Sequence, residues 1–213
     1  MTARLARLVP VARTVAWPAL LAGATACVAV IVLASLGDSP RGRWPGLGAL
    51  ALCAGAAFLL DDPAGSTVGA TPRSLARRRM LRVALALPLL CVVWAGSLWY
   101  ATAAHDAWFG PDTRAALSVQ FAAMLALTLA ASATALRVMP DEHGGWTGVV
   151  VLFTLLGAVY WLPERWTLLA VAGDGAWGAV QQRWAALLAL AVCALVWASR
   201  DPAARRRGRG GSE

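Results

Sequence analysis

The side chains able to do acid–base, nucleophilic or metal chemistry are few in this sequence, and their spacing argues against each use. The two histidines stand at His105, beside Asp106, and at His143, after Asp141 and Glu142. Neither has a second ligand one helical turn away, as in H-E-x-x-H, and a protein metal site needs roughly three or four ligands. Both read as polar loop residues. The four cysteines, Cys27, Cys53, Cys91 and Cys193, lack the paired spacing of a zinc or redox site and read as small apolar filler. No G-x-S-x-G nucleophile turn occurs. All nineteen basic residues are arginine, so there is no P-loop lysine and no lysine for a Schiff base. No catalytic, cofactor-binding or metal-binding residue is expected. If ATP drives this protein, another chain must handle it.

The elements that would position any site are apolar and long. Hydrophobic residues make up 59% of the 213 and charged residues 14%, against roughly 45–50% and about 25% in soluble domains. A helix crossing a bilayer needs about 20 mostly apolar residues. Six segments qualify or come close, at 15–36, 44–60, 80–104, 115–136, 146–162 and 184–199. The expected fold is therefore all-α, a polytopic integral membrane protein with six transmembrane helices in residues 15–199. A basic segment, 1–14, precedes it and an Arg/Gly-rich tail, 200–213, follows. The first segment is too long for a signal-peptide core and exits at Ala34-Ser35-Leu36, so a retained span is expected. Trp17, Trp44, Trp99, Trp146, Trp161, Trp184 and Trp197 fall at span ends, as an aromatic belt would. Trp94 lies deeper and should pack between helices, and Pro88 should kink the third span.

Sorting the arginines by loop turns net charge into orientation. Fourteen of the nineteen lie on the side of the two termini and five on the other. The positive-inside rule then places both termini in the cytoplasm. The N-terminal stretch reads either as a short amphipathic helix on an anionic leaflet or as an orienting tail. Nucleic-acid binding by the tail is weakly supported, since no aromatic residues are interleaved with its arginines.

No Asp, Glu, Arg or His falls in the core of any span, which argues against a proton- or sodium-coupled pump. The polar residues there are mild, and Gln120, Thr128 and Ser132 of the fourth span would form a polar seam. The outer stretch 163–183, with apolar pieces on either side of Gly173-Asp174-Gly175, reads as re-entrant or as an interfacial helix. After the second span, Asp62-Pro63 has the form of an N-cap and first helical residue, with Gly69 as a stop. On these residues alone, a plain turn with an orienting basic cluster is favoured over a docking helix. Asp-Pro-Ala recurs at Asp201-Pro202-Ala203, a hint of a repeated hairpin.

Six spans, cytoplasmic termini, a basic N-terminal stretch, a short helix after the second span and a semi-apolar outer segment before the sixth resemble the permease subunit of type-2 ABC exporters. The stretch LLDDPAGSTVGATPRSLARRRMLR, Leu59–Arg82, is similar to loops of ABC-permease-like membrane proteins of high-G+C bacteria. The resemblance implies a bacterial plasma-membrane protein, a homo- or heterodimer of membrane subunits, and a separate ATPase subunit as partner. It assigns the docking of that ATPase to Asp61, Asp62, Pro63, Arg73, Arg77, Arg78 and Arg79. The alternative, from a different class, is a small non-transporting membrane scaffold or assembly factor.

Overall fold

The computed structural model describes residues 12, 14–36, 44–61, 75–104, 110–139, 144–161, 163, 168, 170 and 175–199. Among these there are six α-helices and no strand. They are α1 Trp17–Leu36, α2 Trp44–Ala56, α3 Leu75–Ala104, α4 Pro111–Val138, α5 Gly144–Trp161 and α6 Trp177–Ser199, and a 3-10 turn, Ala57–Leu60, continues α2. The fold is all-helical. Four of the helices, α1, α3, α4 and α6, are long and apolar enough to cross a membrane, while α2 and α5 are shorter apolar helices.

The helix ends differ from the apolar segments where polar residues still favour helix. The sixth helix begins at Trp177 rather than at 184, because Gln181, Gln182 and Arg183 are good helix formers and extend it. The second apolar piece of the outer stretch, from Trp177 up to Val180, therefore forms the first turn of α6. The third helix begins at Leu75, so Arg77, Arg78 and Arg79 ride on its first turns, and it continues unbroken through Pro88. The fourth gains a turn, with Pro111 in its first positions, Asp112 in its first turn and Arg137 in its last. Both charges oppose the helix dipole where it is strongest.

The middle of the bundle is α4, which packs on α2, α5 and α6, while α1 packs on α2 and α3. Glycine sets how closely these helices meet. A Cβ on Gly23 would stand 2.7 Å from the Ala51 carbonyl oxygen, and one on Gly55 would stand 2.6 Å from that of Ala19. Without the Cβ, the backbones of α1 and α2 touch, as small residues allow between apolar helices. Away from these contacts, Leu21, Val28, Leu87, Val92, Val150, Phe153, Leu190 and Val196 are exposed. Beneath them the backbone is helical, the arrangement that hydrocarbon requires.

The tryptophans divide between belt and core. Trp99 and Trp161 are exposed at one end of the bundle and Trp146 and Trp197 at the other, with Trp161 90% exposed. Trp94 is buried between α3 and α4, stacked on Phe121 at 4.8 Å with its Nε1 3.4 Å from the Ser118 hydroxyl. Trp184, expected in the belt, is buried instead, and its Nε1 donates to the Leu168 carbonyl at 3.0 Å. Its position seven residues into α6, rather than at the start, accounts for the difference.

Candidate functional site

The residues with a claim to function converge where α2 ends. The last turn of α2 tightens into the 3-10 turn, and its Ala57 carbonyl accepts the Ser132 hydroxyl of α4 at 3.1 Å. This satisfies one of the carbonyls that a helix end leaves over. The chain then leaves the turn at Asp61 with an extended backbone, φ −67° and ψ 131°. That geometry sends the side chain and the carbonyl of one residue to two different helices. The Asp61 carboxylate accepts the Gly145 N–H at 2.9 Å. It thereby caps the start of α5 and opposes its positive dipole end. The Asp61 carbonyl accepts Nη1 of Arg82, in α3, at 2.9 Å.

Arg82 is only 3% exposed. Its Nε donates to the Thr14 hydroxyl at 3.1 Å. A guanidinium carries its charge permanently and is costly to bury without acceptors, so this pairing is a condition of its position. Asp61 thus joins α3 to the start of α5, and Arg82 carries the connection on to Thr14 in the segment before α1. Glycine makes the approach of α5 feasible: a Cβ on Gly145 would stand 2.8 Å from Asp61 Oδ2, and one on Gly144 would stand 2.7 Å from the Ser132 carbonyl. Phe58 meets Trp146 edge-on at 5.6 Å and covers the contact.

Of the residues named for docking, Asp61 stands at this junction. Arg77 and Arg78 lie on the first turns of α3, and Arg79 beside them is partly buried. Asp62, Pro63 and Arg73 lie outside the described residues, as do His105, His143 and the tail. The polar seam is close-packed. Thr128 and Ser132 are fully buried. Thr128 donates back to the Met124 carbonyl at 2.8 Å. Gly148 of α5 closes over both, since a Cβ there would stand 3.0 Å from the Thr128 carbonyl and overlap the Ser132 hydroxyl. Gln120 is partly buried. The structure therefore links two sets that the sequence kept apart: Ser132 and Asp61 hold the same 3-10 turn.

Arg82, Thr14 and Gly145 belong to the site and were missed by reasoning from sequence. Arg82 was counted with the orienting arginines, although two apolar residues, Met80 and Leu81, separate it from them. An arginine set that far into an apolar segment must find acceptors. A second polar residue stands out on α6: the amide nitrogen and oxygen of Gln181 are buried without a hydrogen-bond partner among the described residues. At the far end of the same helix, Arg137 of α4 donates to the Trp197 carbonyl at 2.6 Å and lies 4.4 Å from the centre of that indole. It caps the end of α6 and sets α4 and α6 parallel.

Chemically, the junction holds and positions. It pairs a carboxylate with a backbone amide and a guanidinium with a carbonyl and a hydroxyl, and offers no nucleophile with a base. Among the described residues, no group of three or more His, Cys, Asp or Glu is placed to hold a metal ion. Compared with protein-family models, curated proteins and solved structures, the chain finds no match.

Proposed function

We propose that this chain is the membrane-spanning permease subunit of an ABC-type transporter, with six spans, both termini in the cytoplasm of a bacterial cell, and a separately encoded ATPase as its motor. The Asp61 junction carries the reading. The segment 62–74 between α2 and α3 begins at a residue bonded to two other helices, so force applied there reaches the starts of α3 and α5 directly. Thr14, Arg82 and Arg137 fall at this same end of the bundle, in keeping with the excess of arginine assigned to the cytoplasmic side. With no lysine for a P-loop, ATP would be bound elsewhere.

Purification of the tagged protein from its native membranes in mild detergent tests the reading. An ATPase subunit is expected to accompany it at a fixed ratio, and to be lost from an Asp62→Ala/Pro63→Ala double variant. Recovery without any ATPase overturns the proposal.

The tight closure of Thr128 and Ser132 favours the second reading, a non-transporting scaffold or assembly factor. Cysteines introduced at Gln120, Thr128 and Ser132 separate the two. Labelling by a water-soluble maleimide during turnover supports a permease, and silence at all three supports a scaffold.

A further inference from the structure

The bonds of Asp61 have a property that two independent caps would lack. Its carboxylate and its carbonyl leave the same residue in different directions, one to α5 and one to α3. A shift of the chain at Asp61 breaks both together. It leaves the Gly145 N–H at the head of α5 without its acceptor, and withdraws one acceptor from a guanidinium that is 3% exposed. Keeping one bond while the other breaks leaves a polar group at a packed contact without that partner, at the cost of its lost solvation, so the two bonds favour breaking together. The contact cannot loosen gradually either. Gly145 is pressed against Asp61 and Phe58 too closely for a Cβ, and packed interfaces of this kind have discrete arrangements rather than a continuum.

The geometry points to a two-state latch, in which Asp61 and Arg82 together clamp the starts of α3 and α5 and release them as one unit when Asp61 is displaced. Asp61 and Arg82 are positioning residues, and Thr14 extends the clamp to the segment before α1. The latch rests on the permease reading only for what displaces Asp61, namely the partner's hold on the loop that begins there.

Pulsed electron paramagnetic resonance on the full-length protein in lipid nanodiscs, without any ATPase, tests it. Nitroxides are placed on Met80→Cys in α3 and Val150→Cys in α5, both exposed positions, with the exposed Cys91 and Cys193 replaced by Ala. The parent is expected to give one narrow distance. Asp61→Ala and Arg82→Gln are each expected to convert most molecules to the same second, longer distance. The double variant is expected to show no more of it than the stronger single. An unchanged distance in Arg82→Gln, or single effects that add in the double, overturns the latch in favour of two separate contacts. If Asp61→Ala does not fold, Arg82→Lys carries the test, because an ammonium keeps the charge but lacks the fork that reaches both Thr14 and Asp61. The longer distance then supports the latch and the parental distance overturns it. A failed co-purification with an ATPase leaves this outcome untouched, so the two proposals stand or fall separately.

Discussion

The two ends of the helical bundle use the same residue types differently. At the Asp61 end, Gly23, Gly55, Gly144, Gly145 and Gly148 are all pressed against backbone or side chains. At the opposite end, Gly46, Gly96, Gly157 and Gly178 have no described residue within 4 Å of where a Cβ would stand. Gly48 is intermediate, meeting the side chains of Ile31 and Cys27 at 3.1 and 3.3 Å. The polar groups differ too, though not as sharply, since Trp94 bonds Ser118 and Trp184 bonds Leu168 away from the Asp61 end. Ser132, Asp61 and Arg82 are bonded between segments distant in the chain. Gln181, about 24 Å along α6 from Trp197 at 1.5 Å per residue, has a buried amide with no partner among the described residues. The helices meet backbone to backbone at the Asp61 end, while toward the other end they meet through side chains, as Trp94 does with Ser118 and Ser35 with Tyr100. In an apolar solvent the hydrophobic effect does not hold helices to one another. Close backbone approach and satisfied polar groups do, and here the close backbone approaches are concentrated at the Asp61 end.

Three substitutions bear on this contrast. The largest effect is expected from Gly148→Val, which would push a branched side chain into Ser132 and the Thr128 carbonyl. Overpacking of this kind costs about 1–3 kcal/mol or more. Thermal unfolding in detergent should show a marked fall in midpoint and a loss of monodisperse protein on size exclusion. A parental midpoint would mean that the Asp61 end is not closely packed. A smaller effect of opposite sign is expected from Gln181→Met, which removes the unpartnered amide and keeps the side chain's length. Relief of an unsatisfied group is worth roughly 1 kcal/mol, and a higher unfolding midpoint is the expected result. A lower one would show that the amide makes a needed bond and that the opposite end is tied too. The smallest effect is expected from Gly157→Ala. In open space the added methyl meets nothing, and the helix gains about 0.5–1 kcal/mol from the lost backbone freedom of glycine. Destabilisation there would erase the distinction between the ends.

Most of the architecture was legible because each helix is itself a long apolar run, and apolarity is a local property. The limits were misjudged where local polarity and helix formation part company. Gln181, Gln182 and Arg183 looked like a boundary and lie inside α6, and Gly144 and Gly145 looked like loop yet begin α5. Glycine at a helix start is unfavourable in isolation, and is kept here because nothing larger fits beside Asp61 and Ser132. The site was legible only in part. Asp61 was singled out, but its partners lie 84 and 21 residues away, and those 84 residues span two further helices. Ser132 was expected to face a polar seam and instead holds the Ala57 carbonyl, 75 residues back.

By itself, the sequence determined that this is an apolar, all-helical chain with arginine concentrated in alternate loops and no lysine with which to bind ATP in a P-loop. Those are sums over neighbouring residues, and they follow from transfer free energy and charge. Only the tertiary structure decided which polar residues meet. Whether an arginine near a span end orients the helix or is buried as a clamp depends on acceptors from other segments. Arg82 finds them in Thr14 and Asp61, brought to it by helices that the glycines allow to come close.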